Sequence, residues 1–176
     1  MSNPFQRLQE IQQLCQDRVA ELPSLDSNKD EWVGIGFRIG DTVLLTKMGE
    51  VTEILDPPDY TRVPGVKDWV VGIANVRGSL LPLMDLKGFV TGESLANRKM
   101  GRVLVVNHKG SNTGLIVDEV LGLRHFFLNE QTYEMPNVDA SLKPFIKLAF
   151  QRENDYWPVF SFHTLVENEQ FLHASL

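Results

Sequence analysis

The sequence predicts a mainly-β chain folded as two small barrels. Three observations predict it. From Trp32 onward the apolar residues recur with a period of two, the spacing of a half-buried strand. Glycine-bearing turns interrupt these runs at short intervals, at Gly40-Asp41, Gly78-Ser79 and Lys109-Gly110-Ser111-Asn112. Finally, LPLMDLKGFV at 81–90 lines up with WPVFSFHTLV at 157–166, and VTEIL at 51–55 lines up less well with VDEVL at 117–121. One unit of hairpin, strand, connection, hairpin and helical turn thus runs twice. About five strands per half curl most economically into two barrels.

Taken in order, SNPFQRLQEIQQLCQDRVAELPS predicts a helix over residues 4–22. Asn3 can cap it, Pro4 suits the first helical position, and Gln6 completes a capping-box-like pair. Phe5, Leu8, Ile11, Cys15, Val19 and Leu22 form one apolar stripe, expected to dock on the protein's own body. Cys15 then reads as a small buried hydrophobe. Pro23 ends the helix and SLDSNKDE is a polar linker, making residues 1–30 an N-terminal extension. The remainder, 31–176, forms one domain. WVGIGFRIGDTVLLTK predicts a hairpin, VTEIL a strand, DPPDYTRVPGVKDW a Pro-rich connection, GIANVRGSLLPLMDL a second hairpin and LKGFV a helical turn, a first barrel over about 31–95. After the polar break TGESLANRK, RVLVVNH and TGLIVDEVLGL pair. A long loop runs through about Pro144, and FIKLAFQ with YWPVFSF closes a second barrel over about 98–162. HTLVENEQFLHA predicts a C-terminal helix over 163–174.

Composition narrows the function. Lys+Arg 17 against Asp+Glu 23 gives a net charge of -6 with no basic block, which argues against nucleic acid as a partner. A single cysteine excludes an internal disulfide and suits a reducing cytoplasm. Polar residues among the first 20 do not fit a signal peptide, and no apolar run reaches bilayer-spanning length, so no direct membrane insertion is expected. Gly34, Gly36 and Gly40 invite a dinucleotide-binding enzyme as the alternative from another class. They lie inside an alternating strand, however, and the fingerprint needs a helix opening within it. His108, His125, His163 and His173 look scattered, so no metal and no cofactor is expected. Asp118 and Glu119 are adjacent on a strand and face opposite ways, and no nucleophile elbow or phosphate loop is present. No catalytic residues are expected.

What remains is a surface. With a Gly78-Ser79 turn, Arg77 pairs with Leu80, Val76 with Leu81 and Ala74 with Leu83. Ala74, Val76, Leu81 and Leu83 then form an interior face. Ile73, Asn75, Arg77, Leu80, Pro82 and Met84 share the other, whose mix of aliphatic groups with one arginine suits protein binding.

At these residues the sequence resembles the CheW family of coupling proteins. The resemblance runs through Val51-Thr-Glu53-Ile54, Val63-Pro64 and Gly72-Ile-Ala-Asn75-Val-Arg77-Gly78, then Pro82-Leu-Met-Asp85-Leu86 and Gly114-Leu-Ile-Val117-Asp118-Glu-Val120. It implies a non-catalytic adaptor of two intertwined, five-stranded, SH3-like barrels. One surface is implied to bind the regulatory domain of a CheA-type histidine kinase, and a groove between the barrels to take a chemoreceptor's cytoplasmic tip. By position, Glu53 and Arg77 match an acid–arginine pair near that groove, and Val51 and Gly114 match groove positions. Gly72 and Gly78 match positions tied to kinase or receptor coupling. The N-terminal extension and the wording of GIGFRIG, VPGVKDWV and ANVRGSLLPLMDLKGF resemble the branch of the family that serves type IV pili and twitching motility, with a flagellar pathway as the alternative. Either role implies a cytoplasmic protein recruited to membrane-associated receptor arrays.

Overall fold

The computed structural model describes residues 30–135 and 137–174. The expected N-terminal helix and Cys15 lie outside these residues. The described residues form twelve strands and three short α-helices, with three 3-10 turns between them. The strands are β1 (Glu31–Ile39), β2 (Thr42–Lys47), β3 (Glu53–Leu55), β4 (Tyr60–Thr61), β5 (Val70–Val76), β6 (Ser79–Asp85), β7 (Arg102–His108), β8 (Ser111–Val117), β9 (Glu119–Phe127), β10 (Gln131–Thr132), β11 (Ile146–Arg152) and β12 (Asp155–Phe160). The helices are α1 (Leu86–Thr91), α2 (Phe162–Val166) and α3 (Glu169–Leu172).

The strands form two six-stranded sheets, ordered β10-β11-β12-β2-β1-β9 and β3-β7-β8-β6-β5-β4. Exchanging the two halves of the chain, β1 for β7, β3 for β9 and so on, converts one order into the other. The repeated segments are therefore equivalent: β6–α1 and β12–α2 each run from a proline-bearing strand into a capped helical turn. Asp85 caps α1 by accepting from the Gly88 amide, and Ser161 caps α2 by accepting from the Thr164 amide.

Three features differ from the expected fold. The barrels do not follow the chain as 31–95 and 98–162, because each half lends its first hairpin to the other half's sheet. β8 runs parallel to β6 through Leu83↔Gly114, and β2 runs parallel to β12 through Val159↔Leu45. Each sheet also has six strands, the sixth being β4 or β10, two residues long and too short to show a period. The C-terminal helix likewise splits into α2 and α3, since the Asn168 side chain accepts from the Gln170 and Phe171 amides and starts a new helix.

The lent hairpins explain the longest apolar runs. Val103 and Val105 of β7 pack inward with Ala74, Leu81, Leu83 and Ile116, the core of the second sheet. Their neighbours Leu104 and Val106 face the other way, into a central layer with Leu115, Val117, Phe37, Leu44, Phe160 and Phe162. Both faces of β7 are covered from Val103 to Val106, so this stretch is apolar throughout. The first sheet encloses Leu45, Phe126 and Phe150, with Trp32 and Trp157 against them.

Candidate functional site

The turn that carries Arg77 is one residue earlier than the sequence suggests. The β5–β6 register is Val76↔Ser79, Asn75↔Leu80, Ala74↔Leu81 and Ile73↔Pro82, which leaves Arg77-Gly78 as the loop. Both have positive φ, 51° and 83°, the signature of a type I′ turn, whose twist matches that of the flanking strands. The Asn75 side chain accepts the Gly78 amide at 3.0 Å and fixes the turn. The β7–β8 hairpin repeats this geometry, with positive φ at Lys109 and Gly110, so Ser111 and Asn112 belong to β8.

The shift moves the pairing by two positions, so the faces survive. Ala74, Leu81 and Leu83 are buried, with Val76 half-buried beside them. On the opposite face Ile73, Asn75, Arg77 and Leu80 are exposed, Leu80 to 73%. Pro82 and Met84 depart from the expected exposed face: both are half-buried, and Met84 packs on the central core.

Arg77 reaches Glu53 on β3, Nη2 to Oε1 2.6 Å. β3 stands at one end of the sheet order and β5 next to the other end, so this contact exists because the sheet curls. The arginine side chain is 75% exposed and the glutamate 34%. Such a pair is worth only about 0–1 kcal/mol to the fold, so stability is a weak reason for its position.

Glu53 also lines a groove of about 370 Å³ between β3 and β9, with Val51, Met48, Ile54, Gly122 and Leu123. Met48, Ile54 and Leu123 are exposed apolar side chains, which solvent disfavours and a partner's apolar surface would cover. Val51 and Glu53 thus line the groove side by side, and Arg77 is tied to it through its ion pair with Glu53. Met48, just past β2, and Leu123, midway along β9, carry no sequence signal, since each is a lone hydrophobe whose meeting depends on the curl of two sheets.

Gly114 is buried in β8, where a Cβ would stand 2.7 Å from Leu83 Cδ2 and 2.9 Å from Val103 Cγ1, so it packs a barrel interior and stands apart from the residues that line the Val51–Glu53 groove. Gly72 is also buried; a Cβ there would collide with the Thr61 carbonyl oxygen. Gly78 is exposed and serves the turn. Gly34 and Gly36 lie inside β1, between β2 and β9, with no helix opening at them, which removes the dinucleotide reading.

Elsewhere the charges are structural. Arg152 donates to Glu130 from Nε at 2.8 Å and lies 4.6 Å from the centroid of the Phe126 ring. That hydrogen bond, with the Phe127 amide, holds the Glu130 carboxyl below its ordinary value. The expectation of scattered histidines also needs correction: the ligand atoms of His108, His163 and Glu167 all lie within 4.8 Å of one another.

Two barrel-like sheets with exchanged hairpins, an apolar groove and a charged hairpin tip define a small scaffold-type β protein. Residues 33–170 match the CheW-like domain, and the chain belongs to that family of non-catalytic scaffolds. It is 47% identical over 176 residues to Protein PilI of Pseudomonas aeruginosa, covering all of this chain and 98% of that one. Chemotaxis protein CheW of Helicobacter pylori is 33% identical over 95 residues, 54% of this chain and 58% of that protein. The crystal structure of scaffolding protein TtCheW from Thermoanaerobacter tengcongensis matches the fold with a TM-score of 0.67 at 22% identity, covering 78% of this chain and 94% of that one. Among the described residues no helix is long and apolar enough to cross a membrane.

Proposed function

We propose that this chain couples the cytoplasmic tip of a chemoreceptor to a CheA-type histidine kinase, in the chemosensory pathway that controls type IV pili and twitching motility. The observation that carries the reading is the apolar groove edged by the Glu53–Arg77 pair. A receptor tip of packed helices would lay an apolar face on Met48, Val51, Ile54 and Leu123 and meet the ion pair at the rim. The kinase's regulatory domain is assigned to the exposed β5–β6 face, Ile73, Asn75 and Leu80, beside the same hairpin tip. Gly72, Gly78 and Gly114 act through backbone shape and packing rather than contact. Recruitment to a membrane-associated array then follows from the receptor. The full-length similarity to PilI favours the pilus branch over a flagellar pathway, because the likeness to Chemotaxis protein CheW of H. pylori spans about half of this chain.

The test is Arg77→Ala, read by capture of a receptor-tip fragment and by receptor-dependent kinase activation, with circular dichroism melting on the same preparation. Stability changes by less than about 1 kcal/mol. Truncating a charge at the rim of an interface mainly slows association and weakens its salt dependence, so capture of the receptor fragment slows and loses its sensitivity to salt. Normal coupling by this variant, or a failure traced to unfolding, removes the groove assignment.

A further inference from the structure

His108 ends β7, while His163 and Glu167 stand four residues apart, in α2 and at its C-terminal cap. The Glu167 carboxylate Oε1 lies 3.6 Å from His163 Nε2 and 4.0 Å from His108 Nε2. The two imidazole rings are 5.4 Å apart, centroid to centroid. Two neutral imidazoles and one carboxylate are the donor set that borderline divalent ions take, with an open position left to water. Tetrahedral zinc at about 2.0–2.2 Å from each ligand needs donor separations of about 3.3 Å. The present separations run from 3.6 Å to at most 4.8 Å, so binding needs the side chains to turn inward, and His163 and Glu167, exposed to 61% and 47%, have room to do so.

The internal repeat provides a control. Ile39↔Thr42 closes the β1–β2 hairpin as His108↔Ser111 closes β7–β8. Counting two and six residues beyond the caps Asp85 and Ser161 gives Lys87 and Thr91 in one half, His163 and Glu167 in the other. The fold therefore does not require this trio, since its symmetric counterpart is Ile39, Lys87 and Thr91, which offers no comparable donor set.

We propose that His108, His163 and Glu167 form a binding site for one zinc ion, in which the metal ties the end of β7 to α2. β7 belongs to one sheet and α2 follows the last strand of the other, so the bound ion staples the two sheets together.

The experiment uses the full chain without a histidine tag, titrated with zinc chloride by calorimetry and melted with and without the metal. One zinc per chain binds, and it raises the melting temperature. His163→Ala, at an exposed position that packing does not need, weakens zinc binding at least tenfold and abolishes the thermal shift, and His108→Gln does the same. His125→Gln leaves both unchanged, and magnesium, which prefers oxygen ligands, produces no shift. Absence of zinc binding by the parent, or equal affinity in the His163 and His108 variants, overturns the proposal; circular dichroism of each variant establishes that it is folded.

Discussion

Arg77 holds two roles that can be separated. Its φ of 51° lies in the left-handed region, which costs a side-chain-bearing residue roughly 1 kcal/mol relative to glycine. Arg77→Gly should therefore melt at or above the parent while losing the contact to Glu53, and Arg77→Ala should gain nothing. A thermal midpoint for Arg77→Gly clearly below the parent would mean that the ion pair outweighs the turn strain. The sequence made the pairing with Glu53 legible, through the resemblance, but not the turn. Gly78-Ser79 satisfies the type II′ rule with glycine in first place, whereas the folded chain puts glycine second and an arginine where Asn or Asp is usual. Alternation alone could not reveal the error, because a two-position shift preserves the faces.

At the scale of elements, the two equivalent helix caps are built with unequal strength. The Asp85 carboxylate is fully buried and accepts from the Gly88 amide, the Leu95 amide and Arg98 Nε, each at 2.9 Å. It thereby fastens the polar 92–100 segment as well as α1. Ser161 accepts at its cap only from Thr164, while the first two amides of α2 donate to the Glu50 carboxylate. Removing one partner of a buried charge pair typically costs about 3–5 kcal/mol, and losing a serine cap about 1 kcal/mol. Asp85→Ala should thus lower the unfolding free energy in urea by on the order of 3 kcal/mol and Ser161→Ala by about 1 kcal/mol. Equal losses would show that Arg98 finds another partner or water. The aspartate was visible within Pro82-Leu-Met-Asp85-Leu86, yet its bonds to Leu95 and Arg98 were not, since they join positions ten and thirteen residues away with no periodic signal. For the same reason β4 and β10 escaped a reading that relies on period two.

Across the whole molecule, the repeat is legible in the patterning, whereas the exchange of hairpins is indicated only by the intertwined barrels that the resemblance implies. Patterning reports which faces are buried, and β1, β2, β7 and β8 would bury the same faces in their own half's sheet as in the other's. The exchange has a physical consequence. The central layer draws Phe37 and Leu44 from the first half and Leu104, Val106, Leu115 and Phe160 from the second, so neither half possesses a closed core. Breaking the chain in the polar 92–100 segment should yield two fragments that are each unfolded alone and recover sheet structure only when mixed. For the intact chain, loss of one half removes two strands from the other's sheet, so unfolding should be a single cooperative transition. Trp32 and Trp157 pack on the first sheet's core and Trp69 on the central layer. Tryptophan fluorescence and far-ultraviolet circular dichroism in urea should therefore share one midpoint. Two resolved midpoints, or a fragment that folds by itself, would mean that the halves hold independent cores despite the exchanged strands.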